Sequence, residues 1–149
     1  MTIYGVRRRV ACYVTRTGPN GAELLVFEHA DDSPADPSGI QIPAGGMLPF
    51  EAIDQAAQRE VEEESGLTNV TFQRQLGSVE LGLNDEGGPS VTTFVHLTAA
   101  GGGPPSWTHT VTGQGDDNAL TCDWRWEPYP PSFELAAGQG VYLDWLAPA

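Results

Sequence analysis

The sequence predicts an α/β fold on three observations. Several segments alternate apolar and polar residues at the period of two that suits a half-buried strand. Residues 51–65 instead repeat their apolar positions at the helical period. Between these segments lie runs of Gly, Pro, Asn and Asp, which are turn residues. At 149 residues the chain is the size of one ordinary domain, long enough to bury about two thirds of its unfolded surface. Residues 1–149 are therefore read as a single domain.

The elements follow in order. "YGVRRRVACYVTR", residues 4–16, is β-branched and aromatic and predicts a first strand; "AELLVFEHA", 22–30, predicts a second, across the turn "TGPNG". "DDSPADPSG" predicts a polar loop, after which "IQIP", 40–43, predicts a short strand leading into a glycine-rich stretch. After the helical segment, "VTFQRQLGSVEL" and "SVTTFVHLTA" predict two strands joined through the turn "NDEGGP". Residues 100–118 are expected to form one long loop, a length more often functional than decorative in a compact domain. "ALTCDWRWEPY" predicts the last strand, and the tail after Pro131 is expected to hold one short helix, broken between Gly138 and Gly140.

Composition narrows the function. The formal net charge is −13, from 20 acidic residues against seven arginines and no lysine. Such a balance argues against a nucleic-acid backbone as partner and suits a protein that recruits cations. No stretch has the length and apolarity of a membrane span, and the N-terminus lacks the apolar core of a secretory signal, so the expected location is the cytoplasm. Cys12 and Cys122 are far apart and have no metal-site spacing, and are read as buried free thiols.

The helix carries the chemistry. Five glutamates fall between positions 51 and 64, four of them between 60 and 64, although like charges three and four apart repel on a helix. At about 100° per residue with Ile53 at zero, Ala56, Ala57 and Val61 define an apolar arc. Glu60 and Glu64 fall within about 20° of its centre, Glu63 at its edge near about −80°, and Glu62 at about 180°. A purely structural helix would carry Leu or Ile at 60 and 64. Converging half-buried carboxylates need either shared protons or a hard divalent cation, and three of them suit Mg²⁺ or Mn²⁺. The bland alternative, an acidic face paired with arginines, fits poorly with seven arginines and acids inside the apolar arc.

The spacing is more specific still. Gly45, five residues, Glu51, seven residues, then Arg59, Glu60, Val61, Glu62, Glu63, Glu64, Ser65, Gly66 and Leu67 make the pattern G-x5-E-x7-R-E-U-x-E-E-x-G-U, with U aliphatic. The chance of this match in a chain of this composition is on the order of 10⁻⁷. The sequence resembles the Nudix hydrolases over this 23-residue box, and the order of strands around it agrees. The resemblance implies an α/β/α sandwich with a mixed sheet, and hydrolysis of a nucleoside diphosphate linked to a moiety X into a nucleoside monophosphate and phosphorylated X. It implies Mg²⁺ or Mn²⁺ held by Glu60, Glu63 and Glu64 with the backbone carbonyl of Ala44. Glu63 is the expected general base, with Asp116 and Asp117 as alternatives. Arg59 is the expected orienting cation for a ligand carboxylate. Glu51 is expected to support the helix entrance or a second metal.

Two positions depart from the pattern common around the start of the box: Leu48 stands where many members carry Glu, and Phe50 where they carry Gly. These put an extra metal ligand at 48 in doubt and require Phe50 either to project from the loop or to pack over the helix start. Among candidates for holding substrate, Trp107 is read as a base-stacking residue, His109 as a phosphate contact, and Arg9 as the member of the run Arg7, Arg8, Arg9 that reaches the cleft; surface charge balance is the alternative for that run. Trp124 and Trp126 share a strand face and are read as core. The partner is a small nucleotide, and the resemblance is compatible with a homodimer. A second reading, a Nudix domain kept only to bind a nucleotide or a protein, is disfavoured because every box glutamate is present.

Overall fold

A computed structural model describes residues 5–31, 38–81, 89–111 and 120–146. A seven-stranded mixed sheet is assembled from β1 (Arg7–Gly18), β2 (Gly21–His29), β3 (Ala44–Gly46), β4 (Val70–Leu81), β5 (Ser90–Ala99), β6 (Ser106–Thr110) and β7 (Thr121–Pro128). The order is β4-β5-β1-β2-β7-β6, with β3 beside β1. β1 and β5 run parallel, and the other pairs are antiparallel. One edge of β1 is shared: Arg9, Val10 and Ala11 pair with β3, and Thr15 to Gly18 pair with β2.

Period-two alternation sends β1 side chains to two cores. Val10, Cys12 and Val14 face α1 (Ile53–Ser65), packing with Leu25, Phe27, Val61, Val95 and Trp124. Ala11 and Tyr13 face the opposite side with Leu24, Val26, Ile42 and Phe94. Each fully buried aliphatic or aromatic side chain of this kind contributes about 1.5–3 kcal/mol. Cys12 and Cys122 are buried free thiols in the helix-side core, and burial, with the charges of Glu64 and Glu60, pushes the Cys12 thiol up so that it stays neutral.

The second face is covered by the tail. The Tyr13 hydroxyl donates to the Gln139 carbonyl and accepts from Tyr142 N at 3.1 Å, and burial pushes its pKa up to about 12. Leu135 and Leu146 complete that core. Gly77 of β4 leaves room for Tyr142, whose ring would lie 2.4 Å from a Cβ there. The mixed sheet and the helix agree with the predicted fold class.

Three local expectations are corrected. The tail forms two 3-10 turns, Ala136–Gly138 and Leu143–Trp145, in place of one short helix, because its apolar residues are spaced to reach the sheet rather than to line a helical stripe. The strand expected at 40–43 lies at Ala44–Gly46; of the expected stretch, Gln41 makes an isolated bridge with Phe27. The loop expected at 100–118 contains β6, which pairs with β7 from Ser106↔Arg125 to Thr110↔Thr121. Among the described residues, no helix is long and apolar enough to cross a membrane.

Candidate active site

The site begins where α1 meets β3. The helix lacks a capping side chain at Ala52, but Gln55 Oε1 accepts from Ala52 N at 3.2 Å. It ends at Gly66, whose left-handed backbone (φ 85) lets its N–H reach Glu62 O at 2.8 Å. Its buried residues are Ala56, Ala57, Glu60, Val61, Glu64 and Ser65, while Glu62 is exposed. The helical wheel thus sorts the glutamates as the structure does.

Two of these carboxylates are seated against the β3 backbone. Ala44 N donates to Glu64 Oε2 at 3.3 Å. Glu60 lies over Gly45 so closely that a Cβ on residue 45 would stand 2.2 Å from Oε2. Glycine is required there for close approach rather than for backbone freedom. Burial pushes the Glu60 carboxyl above the ordinary carboxylate range; the Arg59 guanidinium opposes that shift and the Glu63 charge adds to it.

Arg59 organises the rest. Its Nε and Nη2 form a two-point fork on Glu51 at 2.7 and 2.8 Å, and Nη2 also donates to Gly46 O at 2.9 Å. Nη1 reaches Glu60 Oε1 at 2.9 Å and Glu63 Oε2 at 3.1 Å. Glu51 in turn accepts from Leu48 N at 2.9 Å, and its hydrogen bonds from Arg59 hold its carboxyl below the ordinary range. A planar guanidinium with five donors can serve four partners at once, and an ammonium cannot. Glu51 is thus bound to the arginine and to the loop before the helix.

Ala44, Glu60, Glu63 and Glu64 therefore lie in one locus with Arg59 and Glu51. Among the described residues, no three acidic, His or Cys side chains are already drawn in around one point. The donor set nevertheless fits a hard divalent cation: three carboxylates and a backbone carbonyl, all oxygen. The positive charge of Arg59 Nη1 already bridges Glu60 and Glu63.

Comparison with known proteins decides the family. The NUDIX domain model matches residues 6–146. The chain belongs to the Nudix family. No curated protein matches it by sequence. Its fold is similar to that of RenU, a Nudix hydrolase from M. smegmatis, at 20% identity over 96% of this chain and 84% of that one, with TM-score 0.65. The Nudix domain of Shewanella oneidensis NrtR, in a complex with ADP ribose, is 18% identical over 95% and 86%, with TM-score 0.63. The Ap4A hydrolase of C. elegans is 21% identical over 82% and 80%, with TM-score 0.51. At these identities the likeness is one of fold. By family the chain is a pyrophosphohydrolase, and Nudix hydrolases act on small nucleotides with divalent metals.

The structure separates the residues singled out for substrate. Arg9 shares a cavity with one of the Nudix carboxylates: it lines about 140 Å³ with Ala44, Glu64 and Gln139. Trp107 and His109 lie elsewhere, in a cavity of about 430 Å³ beside Ser65, Gly66 and the 101–103 glycines. There the Trp107 indole N–H donates to Ser65 O at 2.8 Å, and its ring stacks on Trp124 with centroids 6.4 Å apart. The His109 ring packs against Gly66, where a Cβ would stand 3.0 Å from Nδ1. Asp116 and Asp117 lie outside the described residues. Trp124 and Trp126 are buried core, and Arg16 sits 4.4 Å over the Trp126 ring. Leu48 and Phe50 are exposed, and Phe50 adopts φ 63, a left-handed conformation suited to the Gly of the common pattern.

Proposed function

We propose that residues 1–149 act as one Nudix unit that hydrolyses the pyrophosphate bond of a nucleoside diphosphate linked to X, with Mg²⁺ or Mn²⁺. The observation that carries this reading is the seating of Glu60 and Glu64 against Gly45 and Ala44, with Glu63 held alongside by Arg59.

Glu60, Glu63, Glu64 and the Ala44 carbonyl would hold the cation. When bound, it supplies charge neutralisation on the diphosphate oxygens and on the departing phosphate. Glu63 is the assigned general base: its carboxylate takes a proton from the attacking water as the water oxygen bonds to phosphorus. Asp116 and Asp117 are the alternative bases. The P–O bond to the leaving phosphate breaks with its electron pair, giving the nucleoside monophosphate and phosphorylated X. Arg59 aims Glu60 and Glu63, and Glu51 fixes Arg59 by its two-point contact. Arg9 is assigned to the substrate's phosphates, from its place in the cavity that contains Glu64.

Incubation with Mg²⁺ or Mn²⁺ and a panel of nucleoside diphosphate derivatives, with product identification, tests the reading. Release of a nucleoside monophosphate that stops on chelation is expected. Ligand binding without turnover of any panel member would replace it with the binding-module reading.

A further inference from the structure

The run Arg7, Arg8, Arg9 at the start of β1 differs from the other described arginines. Arg16 pairs with Glu23, Arg59 with Glu51, Glu60 and Glu63, and Arg125 with Glu28 and Glu127. Arg74 donates to the Trp145 carbonyl at 2.6 Å. Among the described residues, Arg7, Arg8 and Arg9 make no ion pair, in a chain with 20 acidic residues. Among the described residues these three consecutive guanidinium groups lack an acidic partner and concentrate positive charge on a protein of net −13.

They also share a cavity. Arg7, Arg8 and Arg9 line about 400 Å³ with residues 46–49, and none of the lining residues is acidic. That volume lies within the range of small-molecule sites. The cavity is tied to the carboxylate site by backbone. Met47 N donates to Arg8 O at 2.8 Å, Arg9 pairs with Gly46, and Gly46 O accepts from Arg59. Arg9 lines both this cavity and the one containing Glu64 and Ala44. Arg9 therefore joins the two cavities, so a ligand that occupies both has a cation at their boundary.

We propose that Arg7, Arg8 and Arg9 form an anion subsite that holds a phosphate group of the substrate beyond the two joined by the scissile bond. The preferred substrates are then nucleoside polyphosphates, or nucleoside diphosphates whose X bears its own phosphate. Guanidinium groups match phosphate oxygens two at a time. A strongly acidic protein repels a polyanion at long range, so a local cationic cavity is what brings such a substrate in and orients it. The substrate class rests on the pyrophosphohydrolase reading; the anion site itself does not.

Two experiments separate these. First, inorganic tripolyphosphate is titrated calorimetrically into the protein in EDTA, where no divalent cation offers it a bridge to the carboxylates. Saturable binding is expected, weakened about tenfold or more in Arg7→Gln/Arg8→Gln and weakened by added salt. Absence of binding, or equal binding by the variant, would overturn the subsite. Arg7 and Arg8 are exposed, and an unchanged melting temperature verifies that the variant keeps the fold. Second, with Mg²⁺ present, kcat/KM is measured for a nucleoside triphosphate, a nucleoside diphosphate with phosphorylated X, and one with an uncharged sugar as X. The variant should lower the ratio of either phosphate-bearing substrate to the uncharged one on the order of 10- to 100-fold, and whichever ratio falls identifies the source of the phosphate. Unchanged ratios would overturn the substrate class. If no pyrophosphate is hydrolysed at all, the activity reading fails, and the tripolyphosphate titration still decides the site.

Discussion

Replacing Gly45 with alanine would set a methyl carbon against the Glu60 carboxylate, at 2.2 Å from Oε2, 2.3 Å from Cδ and 2.5 Å from Oε1. Contacts of a Cβ under 3.0 Å essentially never occur, so the carboxylate must retreat by at least 3.0 − 2.2 = 0.8 Å. Residue 45 cannot yield instead, because β3 is held in register by Val10↔Gly45 and its neighbours. The retreat could lengthen the 2.9 Å contact with Arg59 Nη1 to as much as 2.9 + 0.8 = 3.7 Å, past hydrogen-bond range. A carboxylate is the far end of a flexible side chain, so the fold yields cheaply. The stability loss should be about 1 kcal/mol, a fall of about 2–4 °C in Tm. Activity should suffer far more, because a displacement near 1 Å at a reacting centre costs on the order of 100-fold. Thermal melts and kcat/KM on one turned-over substrate read the two effects apart. Gly46→Ala is the control: a Cβ there meets nothing within 4 Å and its φ is not left-handed, so Tm should stay within about 1 °C. Wild-type kcat/KM in Gly45→Ala would refute the claim that Glu60 depends on this glycine for its position.

Glu64→Gln should lower kcat/KM by more than about 100-fold, while Glu62→Gln, on the exposed face, should stay within about twofold; equal losses would refute the sorting of carboxylates by helix face. Arg59→Lys keeps the charge but loses the fork on Glu51 and the reach to Gly46 O. Its partly exposed side chain limits the stability loss to about 1–2 kcal/mol, with a larger fall in kcat than in KM expected from steady-state kinetics. Phe50→Gly relieves a left-handed backbone at φ 63 and should stabilise the fold by about 1 kcal/mol, visible as a higher denaturation midpoint at unchanged slope. His96 is buried and shares a 2.7 Å hydrogen bond with Thr15 Oγ1. Burial, with the charge of Arg74, lowers its pKa, so the folded state favours the neutral ring. That contribution is complete above the ordinary histidine value of about 6.5 and is lost as pH falls from there through the lowered pKa. Urea denaturation at pH 7.5 and pH 5 should show a larger acid loss in the wild type than in His96→Gln, and equal losses would count against this role.

The acidic helix was legible because its signal is local. A period of 3.6 and a fixed spacing place Glu60 and Glu64 on the buried arc and Glu62 opposite it, whatever the rest of the chain does. The strands with strong alternation, β1, β2, β5 and β7, were legible for the same reason. β3 was not, because its residues are Ala44, Gly45 and Gly46. Their strand character comes from backbone pairing with Arg9, Val10 and Ala11, which no property of an Ala-Gly-Gly triplet announces. β6 is five residues long behind a Gly- and Pro-rich run, and β7 supplies the partner that makes it a strand.

By itself, then, the sequence determined the family, the helix at 53–65 and which faces its carboxylates take, since all of these follow from spacing along one element. Tertiary structure alone decided how close the Glu60 carboxylate stands to Gly45, and that Arg59 joins Glu51, Glu60, Glu63 and the Gly46 carbonyl. It separated Arg9 from Trp107 and His109, and it gathered Arg7, Arg8 and Arg9 beside residues 46–49 in one cavity without acids among its described lining. The physical reason is that burial, close approach and charge pairing depend on distances between segments remote in the chain, and those are set only when the sheet closes its register and the helix packs against it.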